Sequence, residues 1–154
     1  IWMLTAGWCL SEVMPPIPIQ TPRRKRIYKP ISLDITPAIT AGQQLIQSYG
    51  DGRFRIAGES YKGSVLVTRE TTASWGVTRA VDITFENLEP ILREPEILVI
   101  GCGTSLSRPP PELRASLGNH NVSLEWMDTG AACRTFNILL IEERNAVAAL
   151  IAID

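Results

Sequence analysis

Residues 97–105 read Ile97-Leu98-Val99-Ile100-Gly101-Cys102-Gly103-Thr104-Ser105, and the reading of this stretch decides the fold. Four consecutive apolar residues that end at a glycine turn fit a strand buried on both faces, with helices packed above and below. A second such turn, Asp128-Thr129-Gly130, follows the strand-like run Val122 to Met127. Between Thr129 and Glu143, Ala132, Cys133, Phe136, Leu139 and Leu140 fall at the i, i+3, i+4 spacing of a helix with one buried face. Asp128 or Thr129 suits its N-cap, and Arg144 and Asn145 suit its end. Ala146 to Ile153 is again wholly apolar and reads as a strand. Pro109 to Pro111 opens a further helix to about Leu117, with Gly118-Asn119 as the stop signal. The spacing therefore predicts a β-α-β-α-β core over residues 97–153.

Upstream, Gln43 to Tyr49, Arg53 to Ala57 and Tyr61 to Thr68 read as three short strands, with turns at Gly50-Asp51-Gly52 and Gly58-Glu59. Phe54 and Ile56 alternate with Arg53 and Arg55, the pattern of a half-buried strand. A Thr-rich loop precedes Trp75. Val81 to Thr84 is expected as a strand, and Phe85 to Leu92 as a short helix before Pro95.

Residues 1–36 differ in kind. Pro15, Pro16, Pro18, Pro22 and Pro30 interrupt helix and central strand alike, so this part is expected to be an extended arm, followed by one α/β domain over residues 37–154. Trp2 and Trp8 give the arm apolar bulk that a free tail rarely holds in water, and Arg23-Arg24-Lys25-Arg26 gives it charge. These six residues are the expected partner-binding part of the arm. The chain opens on Ile1 rather than Met, which fits a processed or incomplete start.

The whole chain has 154 residues, 45% hydrophobic and 20% charged, with a net charge of −1, the balance of a globular protein. The charge is uneven. Residues 1–36 hold five basic groups against two acidic, +3, and the remainder ten against fourteen, −4. Such a body is no nucleic-acid binder by its charge. Three cysteines at unpaired spacings (Cys9, Cys102, Cys133) point to a reducing compartment, and one histidine gives no zinc-type ligand cluster. No apolar run approaches the roughly 20 residues of a membrane helix.

The strand-GCG-TS turn, the PPPELR helix start and MDTGAACRTFN with its helix and strand, together with Gly63 to Val67 and Trp75, resemble one family of small domains. Its members include the mitochondrial complex I assembly factor, an adipogenesis-associated protein, and bacterial and archaeal proteins without an assigned function. The resemblance covers about residues 40–153. It implies an α/β fold: a mixed sheet with flanking helices and an additional N-terminal β segment. It also implies a non-enzymatic role, as an assembly factor or accessory subunit of mitochondrial respiratory complex I (NADH dehydrogenase). The partners it implies are complex I subunits or a second assembly factor, on the matrix side of the inner membrane. No catalytic residue, cofactor or metal is expected.

The candidate interaction or ligand patch comprises Trp75, Gly101, Cys102, Gly103, Asp128, Thr129, Arg134 and Asn137. The alternative is a small domain of the bacterial cytoplasm with a nucleotide or thiol role at the two turns. Gly101-Cys102-Gly103 is a partial dinucleotide motif, and Asp128 stands where the ribose-binding acid would fall. Leu106 occupies the place of the third glycine, however, and the next helix starts only near Pro109. Cys133 lies in the first turns of its helix beside Arg134, features that favour a thiolate. Packing as a small apolar residue is the other use of such a cysteine.

Overall fold

The structure, a computed structural model, describes residues 41–154. The arm, with Trp2, Trp8 and the Arg23–Arg26 run, and the expected boundary at residue 36 lie outside the described residues.

Three strands open the described chain: β1 (Ile46–Gly50), β2 (Arg53–Ile56) and β3 (Glu59–Lys62). They form an antiparallel sheet in the order β1-β2-β3. Both hairpin loops have two residues, Asp51-Gly52 and Ala57-Gly58, and in each both residues have positive φ. That geometry matches the right-handed twist of the flanking strands, and glycine at the second position takes it without strain.

A five-stranded mixed sheet forms the body. It contains β4 (Val65–Val67), β5 (Thr72–Ser74), β6 (Ile97–Gly101), β7 (Ser123–Met127) and β8 (Ala146–Leu150), in the order β5-β4-β8-β6-β7. β7, β6 and β8 run parallel, and β4 and β5 are antiparallel additions beyond β8. Every residue of β6 and β8 is buried, so successive side chains feed two different cores. Ile97, Val99, Ala148 and Leu150 pack on one side, against Phe136 and Leu140 of α3 (Thr129–Ile141) and against Ile46, Phe54 and Ile56 of the small sheet. Leu98, Ile100, Val147 and Ala149 pack on the other side, with Leu88 of α1 (Phe85–Leu88) and with Leu113 and Leu117 of α2 (Pro111–Asn119). Burying a side chain the size of Phe136 or Leu140 contributes about 1.5–3 kcal/mol.

The fold is the expected α/β arrangement, with three local departures. Tyr61 to Thr68 is not one strand: Gly63, at φ +82°, breaks it, and the chain passes from the small sheet into the large one. Val81 to Thr84 is not a strand either. Ala80–Asp82 is a single 3-10 turn, and Thr84 and Asn87 close a reciprocal capping box at the start of α1. The Thr-rich loop before Trp75 contains the edge strand β5.

Candidate functional site

The two glycine turns meet at one corner, where β6 and β8 end and α3 begins. Thr129, the first residue of α3, is fully buried there. Its hydroxyl donates to the Ile151 carbonyl (2.8 Å) and accepts from the Gly103 amide (3.0 Å). Its own amide donates to the Gly103 carbonyl (2.9 Å). One threonine thus joins the exits of two neighbouring strands to the head of a helix. Gly101 makes the close approach possible. A Cβ there would lie 2.9 Å from Thr129 Cα, nearer than real carbon contacts allow, and a tight 3.1 Å from Leu150 Cδ2.

Asp128 caps α3, its Oδ1 accepting from the Ala131 amide at 2.9 Å. Gly130 leaves space for Tyr49 of β1, whose hydroxyl would stand 2.8 Å from a Cβ at that position. The same hydroxyl accepts from Arg134 Nη1 at 3.0 Å. Three residues further along α3, the Asn137 amide pairs with both backbone groups of Ile46. Gly101, Gly103, Asp128 and Thr129 therefore share the corner, and Arg134 and Asn137 extend it along α3 to β1. Cys102 is buried beside it, its Sγ within 3.5 Å of the Ser105 carbonyl. Trp75 does not join them. It packs in the core on the α1–α2 side, and its Nε1 donates to the Asn87 carbonyl at 3.1 Å.

The chemistry open to this corner follows from what its groups already bind. The amides of Cys102, Gly103 and Thr129 donate to Met127 O, Thr129 Oγ1 and Gly103 O, so the turn holds its own neighbours rather than offering those donors to a phosphate. Desolvation pushes the Cys133 thiol up from 9.0 to about 12, outweighing the Arg134 guanidinium, which acts the other way. At neutral pH it is a protonated thiol packed in the core, and the thiolate expected of an exposed helix-start cysteine does not form. Among the described residues, no group of three or more His, Cys, Asp or Glu side chains is placed to hold a metal ion. No helix among them is long and apolar enough to cross a membrane.

Sequence reasoning missed Ile46 and Tyr49, which complete the corner from β1. Their partners Asn137 and Arg134 lie 91 and 85 positions away, beyond any local spacing rule.

A mixed sheet with one long helix stitched to its strand exits, and a three-stranded sheet clasped to that helix, defines a small α/β domain organised around a backbone-binding corner. The chain belongs to the family described as protein of unknown function (DUF498/DUF598), which matches residues 46–151. It is 35% identical over 127 residues to NADH dehydrogenase (ubiquinone) 1 alpha subcomplex assembly factor 3 of Danio rerio, covering 80% of this chain and 73% of that protein. It is 34% identical over 111 residues to an uncharacterised protein of Rhodobacter capsulatus, covering 72% of this chain and 86% of the other. Among solved structures, a Bartonella henselae protein described as an outer membrane protein shares 38% identity at a TM-score of 0.68, over 74% of this chain and 98% of that one. A Bordetella pertussis protein described as a Mth938-like domain shares 28% identity at a TM-score of 0.64, over 73% of this chain and 87% of that one.

Proposed function

We propose that this chain is a non-enzymatic assembly factor or accessory subunit of respiratory complex I, working through protein contacts on the matrix side of the inner mitochondrial membrane. The observation that carries the reading is the 35% identity, over 80% of the chain, to a protein named as a complex I assembly factor. The corner supports it. Thr129, Asp128 and Asn137, the polar side chains that a catalytic reading would recruit, are committed to holding backbone. Cys133 is held as a neutral thiol. The partners are complex I subunits or a second assembly factor, and the arm of residues 1–36 contributes to gripping them.

Affinity purification from the native source, read by mass spectrometry, tests this directly. Complex I subunits or their assembly intermediates are expected to be enriched, and deleting the protein is expected to reduce mature complex I on native gels. A preparation without those subunits, from cells whose complex I is unchanged by the deletion, overturns the reading.

A further inference from the structure

The outward face of the small sheet is basic, and among the described residues its cations make no ion pair. In β2, Phe54 and Ile56 turn inward and are buried, and Arg53 and Arg55 turn outward and are exposed. The register extends this face across all three strands. Ser48, Arg55 and Ser60 form one row, and Gly50, Arg53 and Lys62 the next. Ser48, Arg53, Arg55 and Ser60 line a basin of about 460 Å³. A Cβ at Gly50 would meet nothing within 4 Å, so Arg53 has open space on that flank.

Two features make this more than a solvated surface. Arg53 and Lys62 stand directly opposite each other in the ladder. Like charges so placed repel and weaken a sheet. The described residues supply no ion pair to either of them or to Arg55. Asp51 borders the basin at the β1–β2 turn, and Asp154 comes near Gly52, but neither forms an ion pair with Arg53, Arg55 or Lys62. Secondly, Gln47 Oε1 accepts from Arg55 Nε at 3.3 Å and from the Gly58 amide at 3.0 Å. This contact orients the guanidinium through Nε, and its terminal nitrogens have no acceptor among the described residues.

The spacing selects the acceptor. Alternate residues of a strand lie roughly 6.7 Å apart, so Arg53 and Arg55 repeat at the same interval as alternate carboxylates of a second extended chain. Arginine also pairs carboxylates through two parallel hydrogen bonds. Sheets that read single-stranded RNA carry aromatic rings on the open face. Here Phe54 is buried and Tyr61, in register with it, shares the inner side. Membrane-surface elements combine cations with apolar bulk, and these two rows contain only Ser, Gly, Arg and Lys.

We propose that this face docks an extended acidic segment of a partner protein, with Asp or Glu at alternate positions, laid along β2. The proposal rests on the reading of the chain as a protein that acts by protein contacts, and names the chemistry of one contact.

The test uses the full chain and a fluorescein-labelled peptide of alternating Glu and Thr, followed by fluorescence polarisation. Binding is expected, weakening at least threefold as salt rises from about 50 to about 300 mM. The R53Q/R55Q variant is expected to bind at least tenfold more weakly, and R114Q, on α2, as well as the native chain. R53T is expected to keep or raise Tm, since it removes a like-charge pair, so lost binding in that variant is not lost folding. Equal binding by R53Q/R55Q and the native chain overturns the proposal. So does binding that disappears only when Arg23, Arg24, Lys25 and Arg26 are changed to Gln, or a preference for phosphatidylserine vesicles or single-stranded RNA that needs Arg53 and Arg55. Complex I subunits that co-purify while the peptide fails to bind sink this surface and leave the functional reading standing. Peptide binding without co-purification does the reverse.

Discussion

Asn137 on α3 takes the place of a neighbouring strand for Ile46 on β1: its Nδ2 donates to the Ile46 carbonyl at 2.8 Å, and its Oδ1 accepts from the Ile46 amide at 2.9 Å. A single side-chain amide thus satisfies both backbone groups of a buried residue and fastens the small sheet to the helix that covers the large one. Asn137→Ala leaves both groups in a half-dry environment without partners. The expected loss is about 1–3 kcal/mol in urea unfolding. Amide exchange in β1 and β2 should accelerate before that in β6. An unchanged midpoint with unchanged exchange would refute the clasp.

The Thr129 hydroxyl bridges Ile151 and Gly103 from a fully buried position. Thr129→Val keeps the shape and removes the donor and acceptor together. It should destabilise the domain by about 1–3 kcal/mol. Thr129→Ser retains the hydroxyl and should recover most of the loss. A loss in Thr129→Ser with none in Thr129→Val would mean that the methyl, and not the bridge, matters here.

Gly101→Ala introduces a carbon 2.9 Å from backbone, not from the tip of a yielding side chain. Overpacking of this kind costs about 1–3 kcal/mol. The distinguishing observation is additivity. In a double-mutant cycle with Leu150→Ala, which vacates one of the three contacts but not the Thr129 Cα, only part of the loss should return.

Cys133 gives a pH signature. Its folded thiol titrates near 12, and its ordinary value is 9.0. The proton is therefore retained in the folded chain over a range in which the unfolded chain releases it. The stabilising contribution is complete below about pH 9 and is lost as pH rises toward 12, with a limiting slope of about −1.4 kcal/mol per pH unit. The difference in unfolding free energy between the native chain and Cys133→Ala should show this slope above pH 9 and be flat below it. Iodoacetamide at pH 8 should label Cys133 only as fast as the domain opens. Rapid labelling of the native state would reverse the assignment of a packed, neutral thiol.

The large sheet was legible wherever burial is two-sided. Ile97 to Ile100 and Ala146 to Leu150 announce themselves because a strand covered on both faces has no polar residue to place. α3 was legible because Asp128 offers a cap just before a helical apolar rhythm. β5 was not, since Thr72–Ser74 is an edge strand with little to bury, and its residues read equally as loop. At Val81 to Thr84, β-branched residues suggested a strand, but the local Thr84–Asn87 capping box determines the structure. The corner was half legible. Its turns could be found from glycine and aspartate, but the roles of Thr129 and Asn137 depend on partners brought in by the sheet. Arg53 and Arg55 were visible as the polar half of an alternating strand, whereas the opposition of Arg53 to Lys62 emerges only from the register.

β8 lies between β4 and β6, yet β4 precedes it by some eighty positions in the sequence. During synthesis, residues 65–101 emerge from the ribosome with two apolar strands that cannot reach their shared neighbour until residues 146–150 are made. Long-range pairing of this kind is slow. The nascent domain therefore passes through an interval in which β4 and β6 are open to the wrong partners, and a chaperone that covers them until β8 arrives would act on the step most prone to aggregation.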